Sequence, residues 1–430
     1  MTTDTRAAAA LAIAGVLEGG SLNQLLPAAL ETVGARDRGL LQQLCYGTLR
    51  YYPRLQPQLR QLLSKPLKTR DRDIEALLLL GLYQLEETRV PDHAAVAATV
   101  AATKALNKTW AKGLCNAVLR SYLRQRQDLP GKLSPAALAA HPDWLFDALQ
   151  RDWPAQAAAI VAANNEQPPM VLRVNRQHGS RDDYLTALAA AGIAASAGRL
   201  APESIYLQQA VDVAALPGFA AGWASVQDEA AQLAAQLLAP RAGERVLDAC
   251  AAPGGKACHL LELEPSIVLT AMDIDASRLQ RIQDNLQRLS LRAEVLQGNA
   301  TAPPAALLER RFDRILVDAP CSASGVIRRH PDVKLLRRED DIPALAAQQL
   351  WILQGLWPLL QPGGTLLYVT CSVLEAENSA VVARFLEATG DAALQPLTVP
   401  GEQRSHGVQL LPVSGGTDGL FFSLLLRRRI

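Results

Sequence analysis

The chain has 430 residues, which is too long for one ordinary hydrophobic core and predicts two or three domains. Hydrophobic residues make up 49% and charged residues 20%, the balance of a water-soluble globular protein, while the formal net charge is only +1. The charge therefore excludes a globally basic chain, so any basic surface for a nucleic acid must be local.

The cysteines are sparse and scattered, at Cys45, Cys115, Cys250, Cys258, Cys321 and Cys371. None forms a CxxC pair, and the histidines do not cluster beside them, so we expect no metal site. This usage favours a reducing cytosol over a disulfide scaffold.

The N-terminus contains Arg6 followed by the apolar run 7–17, which resembles a short signal peptide. The run stops at Glu18 without a cleavage segment, so the start of a helix is the better interpretation. Since no stretch approaches the roughly 20 apolar residues of a membrane span, we expect a cytoplasmic protein.

Residues 1–130 are predicted to form an all-α domain. Apolar residues recur at helical spacing in Leu40–Leu49, Ile74–Leu85, Ala94–Leu106 and Gly113–Leu123. Pro53, Pro66 and Pro91 are placed at the breaks, where prolines end helices.

Residues 131–235 are predicted to hold a linker and a small α+β subdomain. Asp128–Pro135 contains proline and glycine, as linkers do. Met170–Val174 and Ile205–Leu207 have strand character, and Ser180–Ala190 has the spacing of a helix.

Residues 236–430 are predicted to form an α/β, Rossmann-like catalytic domain. Short apolar segments alternate with helical ones, and the predicted strands are Arg245–Ala249, Ile267–Met272, Ala293–Leu296, Ile315–Val317 and Thr365–Val369. Strands separated by helices imply a parallel, doubly wound sheet, whose ligands bind outside the carboxyl ends of the strands. The terminal Arg427–Arg429 is predicted to be an exposed tail.

A strand, a glycine-rich turn and a helix are predicted in succession at Val246–Lys256. Gly254 and Gly255 allow a close approach that a Cβ would block, and the following helix N-terminus presents unpaired N–H groups. The pattern fits neither the dinucleotide nor the triphosphate fingerprint. Asp273 ends the next strand about 20 residues on, where an acidic group accepts hydrogen bonds from ribose hydroxyls. The turn and Asp273 together favour a nucleoside-type cofactor over a tight turn with a solvated aspartate.

Asn299 ends the third predicted strand. Its side-chain carbonyl is suited to accept a hydrogen bond from an adenine amino group. A loop asparagine without a ligand is almost as good an interpretation, and the sequence leaves the two open.

Two further strands each end near a cysteine, in Asp318–Cys321 and in Thr370–Ser372. A single buried cysteine is usually inert, but two at the same sheet edge, with Asp318 alongside, argue for thiol chemistry. The set suits methylation of a pyrimidine at C5, because a thiolate that adds to C6 makes C5 nucleophilic. Asp318 would hold the amino edge and N3 of the base. The second thiol or a water would help to remove the C5 proton.

Three segments resemble motifs of the RNA cytosine-5 methyltransferases: Asp248–Lys256, Asp318–Gly325 and Tyr368–Ser372. The run Gly325–Asp332 is similar to the family as well. Three N-terminal segments resemble the NusB-type helical domain of the bacterial 16S ribosomal RNA branch of the family: Tyr46–Arg50, Gly81–Leu85 and Asn116–Arg120. The resemblance covers nearly the full length.

The resemblance implies an enzyme that transfers a methyl group from S-adenosylmethionine to C5 of a specific cytosine in 16S rRNA. It implies Cys371 as the nucleophile and Cys321 as the residue that releases the product, with Asp318 and Lys256 also at the catalytic site. The implied cofactor contacts are Cys250, Ala251, Ala252, Pro253, Gly254, Gly255, Lys256, Asp273, Asn299 and Asp318. The position of Asn299 is usually aspartate in the family, so we expect weaker adenine binding.

The partner implied is 16S rRNA, free or in a partly assembled small subunit, with a monomeric enzyme and neither metal nor membrane. Candidate phosphate contacts are Arg328, Arg329, His330, Lys334, Arg337 and Arg338 after the Asp318 loop. A second basic segment contains Lys104, Lys108 and Lys112, four residues apart and thus on one predicted helix face, followed by Arg120, Arg124 and Arg126. A solvated basic helix remains an equal interpretation of that second segment.

Two other functions remain open. A DNA cytosine-5 methyltransferase would attack with Cys321, so Cys321→Ala rather than Cys371→Ala would abolish covalent capture of the base. A non-catalytic RNA-binding assembly factor need not keep both cysteines, Asp318 and the glycine turn, and their joint presence argues against it.

Overall fold

The computed structural model describes residues 3–429. Its helices are α1 (Thr5–Leu17), α2 (Leu22–Glu31), α3 (Arg38–Leu62), α4 (Arg72–Glu87), α5 (Asp92–Ala105), α6 (Ala111–Gln125), α7 (Pro135–Leu138), α8 (Asp143–Asp152), α9 (Ala157–Asn164), α10 (Arg181–Ala190), α11 (Glu229–Leu238), α12 (Gly255–Leu263), α13 (Ala276–Arg288), α14 (Ala305–Leu308), α15 (Val333–Leu336), α16 (Asp341–Leu356) and α17 (Ser379–Ala388). Its strands are β1 (Val171–Val174), β2 (Ala195–Ala197), β3 (Ser204–Leu207), β4 (Ala224–Val226), β5 (Arg245–Asp248), β6 (Val268–Asp273), β7 (Glu294–Gln297), β8 (Phe312–Asp318), β9 (Leu360–Thr370), β10 (Ala392–Gln395), β11 (Glu402–Arg404), β12 (Gly407–Leu410) and β13 (Leu420–Arg427).

The described chain divides into two compact units. The helical unit comprises residues 3–166 and Ile327–Glu339, and the sheet unit comprises Gln167–Val326 and residues 340–429. The domain boundaries expected at residues 130 and 235 remain predictions. In this division α7, α8 and α9 fall in the helical unit rather than in a linker.

The helical unit is built around α1, α3 and α4, and its all-α character is as expected. The carboxylate of Asp4 caps α1 by accepting from the N–H groups of Arg6 and Ala7, both at 3.0 Å. The apolar run 7–17 is therefore a buried helix that begins at a conventional cap. Across residues 3–429, we find no helix with both the length and the apolar character needed to cross a membrane.

The expected helix break at Pro53 is wrong. Helix α3 continues through Pro53 and Pro57. Proline inside a helix costs about 3 kcal/mol. The buried Leu49, Leu55 and Leu59 along the same helix belong to the helical core, so packing offsets this cost.

The sheet unit contains a small antiparallel sheet in the order β2–β3–β1–β4. Leu172 of β1 lies opposite Ile205 of β3 and Val226 of β4. Helix α10 contributes Tyr184 and Leu188 to the core of this sheet. The expected α+β subdomain and its strands are confirmed.

A larger sheet follows in the order β11–β12–β13–β9–β8–β5–β6–β7, with β10 paired to β13. Within the group β5 to β9, every pair of neighbouring strands is parallel, as predicted. Strand β13 is antiparallel to β9. The strands β10 to β13 were not predicted. The expected tail is partly wrong, because Arg427 ends β13 and pairs with Asp391 at 2.8 Å, while Arg428 and Arg429 are exposed.

Helices pack on both faces of the larger sheet. Alternate residues of its central strands enter two separate cores: Val246 and Leu316 belong to one, Leu247 and Ile315 to the other. Helices α11, α12 and α13 contribute to the first core, α16 and α17 to the second. This is the doubly wound arrangement, and it brings the carboxyl ends of β5, β6, β7, β8 and β9 to one edge.

Candidate active site

A cleft lies at that carboxyl edge, with about 770 Å³ of non-protein space, part of which is open to solvent. It is lined by Ala249, Cys250, Ala252, Asp273, Ile274, Arg278, Gly298, Asn299, Ala300, Asp318, Ala319, Pro320, Cys321, Gln348, Ile352 and Cys371. Both cysteines of the strand-end motifs therefore meet the wall that the glycine turn and Asp273 supply. Each comes from a different strand end, as the parallel order of the sheet requires.

The glycine turn is held by its surroundings. Gly254 has φ of +99° at the start of α12, a conformation that favours glycine, and an added Cβ would come within 3.2 Å of the Ile282 Cα. Arg278 donates to the Ala252 carbonyl at 2.7 Å, and Asn285 donates to the Pro253 carbonyl at 2.9 Å. These bonds fix the backbone that faces the cleft.

Only part of the predicted cofactor turn lines the cleft. Cys250 and Ala252 do, whereas Ala251, Pro253, Gly254, Gly255 and Lys256 are not among its lining residues in the described chain. Burial, followed by the charge of Asp248, raises the pKa of the Cys250 thiol. Cys250 is thus a neutral wall residue rather than a reactive thiolate.

Asp273 and Asn299 both line the cleft, but their oxygens already have partners. Asp273 accepts from the N–H groups of Ala252 at 3.0 Å and Asp275 at 3.1 Å. Asn299 Oδ1 accepts from the N–H of Thr301 at 3.0 Å and from its hydroxyl at 2.9 Å. The expected use of the Asn299 carbonyl for adenine is therefore not supported by this geometry, because Thr301 occupies both lone pairs.

Three charged side chains meet beside the thiols: Lys256, Asp318 and Asp248. Lys256 Nζ donates to Asp318 Oδ2 at 2.6 Å, and 32% of the Asp318 side chain stays exposed towards the cleft. Burial alone would lower the pKa of Lys256, but the charge and hydrogen bond of Asp318 raise it above its ordinary value. Lys256 therefore remains an ammonium group next to the site.

Asp248 is the member of this group whose carboxylate lacks a hydrogen-bond partner on one oxygen within the described chain. Its Oδ1 is buried without a hydrogen-bond partner among the described residues. Burial, and next the charge of Asp318, raise the pKa of Asp248 to about 7. Asp248 is therefore only about half ionised at neutral pH.

The two sulfur atoms lie 3.3 Å apart, Sγ of Cys321 to Sγ of Cys371. Cys321 is 7% exposed, and Cys371 is more accessible. The hydrogen bond to Cys371 and then burial raise the pKa of Cys321 well above its ordinary value, and the charges of Cys371 and Glu377 add to the effect. The thiol form of Cys321 is therefore favoured, so Cys321 is the less suitable of the two sulfur atoms for nucleophilic attack.

Nine lining residues were not among the predicted site residues: Ala249, Ile274, Arg278, Gly298, Ala300, Ala319, Pro320, Gln348 and Ile352. Ile274 directly follows Asp273, and Arg278 lies on the helix that comes next. Gln348 and Ile352 are four apart on α16, and this helical spacing is the signal that could have placed both on one face.

Two of the predicted phosphate contacts in the first basic segment, Arg328 and Lys334, are wrong, whereas Arg338 is exposed and remains a prediction. Arg328 is fully buried and Lys334 is 3% exposed. Lys334 Nζ donates to the Arg50 carbonyl at 3.0 Å and to Asn165 Oδ1 at 2.6 Å, while Arg50 donates to the Arg328 carbonyl at 2.8 Å. These side chains hold Ile327–Glu339 in the helical unit, so they cannot meet solvent phosphates as placed.

The second basic segment is only partly available. Lys104 and Lys112 are exposed on α5 and α6. Lys108 instead pairs with Asp71 at 2.9 Å and with Asp73 at 2.6 Å. The expected single helix face is wrong, because α5 ends at Ala105 and α6 begins at Ala111, which puts Lys104 and Lys112 on different helices.

Comparison with known proteins gives one consistent family. Residues 235–426 match the family described as 16S rRNA methyltransferase RsmB/F, residues 141–214 its ferredoxin-like domain, and residues 3–124 the NusB family. The chain is 53% identical to ribosomal RNA small subunit methyltransferase B of Pseudomonas putida, over 98% of both chains. It is 48% identical to the protein of that name from Erwinia tasmaniensis, over 99% of both. A solved methyltransferase homologue from Pyrococcus horikoshii is 28% identical with a TM-score of 0.60, covering 69% of this chain and 100% of that one.

Proposed function

The chain belongs to the RsmB/F family of 16S rRNA methyltransferases, and from its cleft we propose that Cys371 carries out cytosine-C5 methylation of that RNA through a covalent adduct. The expectation of an RNA cytosine-5 methyltransferase with a NusB-type domain is confirmed at the level of the family. The observation that carries the proposed mechanism is the pair of thiols 3.3 Å apart in the cleft wall.

S-adenosylmethionine is the cofactor that we propose, and the cleft suits it. Its wall combines Cys250 and Ala252 of the turn, the buried carboxylate of Asp273 and the apolar side chain of Ile274. When bound, S-adenosylmethionine supplies an electrophilic methyl group. We assign Cys250, Ala252, Asp273 and Asn299 to direct contact with it.

The remaining predicted cofactor residues would act from behind the wall. Ala251, Pro253, Gly254 and Gly255 shape the turn, and Lys256 acts through Asp318. No adenine contact is assigned to the Asn299 carbonyl, since Thr301 occupies it.

In the first step the Cys371 thiolate adds to C6 of cytosine. The electron pair of the C5=C6 bond moves towards C4 and N3, N3 takes a proton from water in the solvent-open cleft and returns it before the product leaves, and C5 becomes the nucleophile. Asp318 is placed to hold the amino edge of the base, with Lys256 fixing the carboxylate at 2.6 Å. Lys256 also lies close enough to Cys371 for their charges to interact, more weakly than Lys256 interacts with Asp318.

In the last step Cys321 removes the C5 proton. Before attack, its proton is held by the hydrogen bond and the charge of Cys371, which are among the causes that raise its pKa. Once Cys371 is a thioether, both of these causes are gone, so Cys321 more readily releases its thiol proton to water in the part of the cleft that is open to solvent. Its thiolate then accepts the C5 proton, the C5–H electron pair restores the C5=C6 bond, and Cys371 leaves as a thiolate.

Methyl transfer from labelled S-adenosylmethionine to 16S rRNA tests this proposal. Cys371→Ala should abolish both transfer and covalent trapping, because it removes the attacking sulfur. Cys321→Ala should let a protein–RNA adduct accumulate on denaturing gels. The reverse outcome would mean that Cys321 attacks, as in a DNA-type enzyme, and transfer to no cytosine by the unaltered chain would indicate a non-catalytic assembly factor.

The natural substrate form is a further proposal: 16S rRNA, free or in a partly assembled small subunit, methylated by a monomeric enzyme in the cytoplasm. Mapping 5-methylcytosine in 16S rRNA from cells with and without the protein would identify the nucleotide. Assays on naked RNA and on assembling subunits would separate the two substrate forms.

A further inference from the structure

A group of buried polar side chains lies directly behind the two thiols. The Glu377 cluster consists of Ser322, Ser324, Gln349, Ser372 and Glu377. Each of them is at most 1% exposed. None of these five residues lines the cleft, so they do not touch a ligand there.

Glu377 joins the two cysteine loops with a single carboxylate. Its Oε1 accepts from the backbone N–H of Ser322 at 2.8 Å, and its Oε2 accepts from the hydroxyl of Ser372 at 2.6 Å. Ser322 directly follows Cys321, and Ser372 directly follows Cys371. The carboxylate therefore holds the residue next to each sulfur.

Further bonds tie the same two loops together. The Ser324 hydroxyl lies 3.0 Å from that of Ser372 and accepts from the N–H of Val373 at 3.0 Å. Gln349 of α16 donates to Glu377 Oε1 at 3.1 Å and to the Pro320 carbonyl at 3.0 Å. A buried carboxylate is costly without partners, and three donors offset that cost here.

This arrangement sets how far apart the sulfur atoms lie. Each loop is short between its cysteine and its contact with Glu377, so a shift of the carboxylate moves both thiols. We propose that Glu377 is a positioning residue that fixes the separation of Cys321 and Cys371, so that one sulfur attacks and the other accepts a proton from the same base. The inference rests on the proposed roles of the two cysteines.

The direct test replaces the carboxylate by an amide, in Glu377→Gln. The amide keeps the shape but loses one acceptor oxygen, so it cannot accept from all three donors. We expect kcat for methyl transfer to fall about 100-fold, the cost of a displacement near 1 Å, with KM for RNA and for S-adenosylmethionine changed less than about twofold.

Glu229 offers a matched control. It is 2% exposed and accepts from the Ser204 hydroxyl at 2.6 Å and from the N–H of Leu200 at 2.7 Å, away from the cysteine loops. Glu229→Gln should lose a similar amount of thermal stability yet keep kcat within about twofold, because no thiol moves.

A readout without turnover measures the thiols themselves. Phenylarsine oxide bridges two neighbouring thiols with release of water, and its binding to the enzyme without RNA should require both Cys321 and Cys371. Glu377→Gln should weaken this binding about tenfold, whereas Glu229→Gln should not. If Glu377→Gln fails to fold, Ser372→Ala, which removes one donor, should still lower kcat about tenfold.

Unchanged arsenical binding in Glu377→Gln and Ser372→Ala, or a kcat loss shared equally by Glu229→Gln, would overturn the positioning role. An active Cys371→Ala enzyme would instead overturn the proposed function, and the inference with it.

Discussion

Two lysines, Lys256 partly buried and Lys334 buried, show how differently the same residue type is used in the two units. Lys256 in the sheet unit faces the carboxylate of Asp318 at 2.6 Å, and its pKa is raised. Lys334 in the helical unit faces two neutral oxygens, the Arg50 carbonyl and Asn165 Oδ1. Burial, and next the charges of Arg50 and Arg54, lower the pKa of Lys334 well below its ordinary value.

Burial alone therefore does not decide the role of a charged residue. A carboxylate partner preserves the charge of Lys256, which then acts on a thiol and on an aspartate in the cleft. Burial and the nearby arginines lower the pKa of Lys334, whose amine donates hydrogen bonds to neutral oxygens within the fold. Substitutions at these lysines and at their neighbours test this difference.

The largest effect is expected for Lys256→Met. Loss of the ammonium leaves Asp318 without its 2.6 Å partner and the Cys371 thiolate without a nearby positive charge. Single-turnover methyl transfer should slow about 100- to 1000-fold. Arg314→Met breaks the ion pair with Glu244 at the other end of β8 and serves as the control. Equal losses in the two variants would contradict a catalytic role for Lys256.

Asp248→Asn should change how stability depends on pH. The ordinary pKa of Asp248 is 3.8 and the folded value is about 7, so between these values the folded chain binds more protons than the unfolded chain. The unaltered protein should therefore lose several kcal/mol of unfolding free energy as pH rises through this window, with no further loss above it. Urea unfolding from pH 4 to 8 should show this slope weakened in Asp248→Asn. An unchanged slope would mean that Asp248 ionises normally in the fold.

Lys334→Met tests a pH dependence of stability that is opposite in sign to the one expected from Asp248. The ordinary pKa of this lysine is 10.5 and the folded value is lower, so the unfolded chain binds more protons in the window between them. The unaltered protein should therefore gain stability relative to Lys334→Met as pH rises towards 10.5. A difference that stays constant with pH would show that Lys334 remains charged in the fold, like Lys256.

The smallest effect is expected for exposed lysines of the helical unit. Lys112→Gln should reduce the salt slope of RNA binding by about one, since one phosphate contact is lost. Lys108→Gln should leave the slope unchanged but lower stability, because Lys108 pairs with Asp71 and Asp73. An unchanged slope in both variants would contradict an RNA-binding role for this face.

Much of the site could be predicted, since its residues follow strands with clear apolar patterns. Asp318, Cys321 and Cys371 each stand at a predicted strand end, and all three line one cleft. Glu377 was missed, because a buried carboxylate has no local pattern that distinguishes it from a solvated one. Its partners Ser322 and Gln349 are 55 and 28 residues away in sequence.

The sequence by itself determined the doubly wound sheet, the turn before α12 and the pair of strand-end cysteines, because periodicity and chain order alone place parallel strand ends at one edge. Only the tertiary structure decided that the two sulfur atoms lie 3.3 Å apart and that Lys334 is buried. The reason is physical: the charge state of a side chain depends on the neighbours that folding supplies. For Lys334 these are Arg50 and Asn165, 284 and 169 residues away.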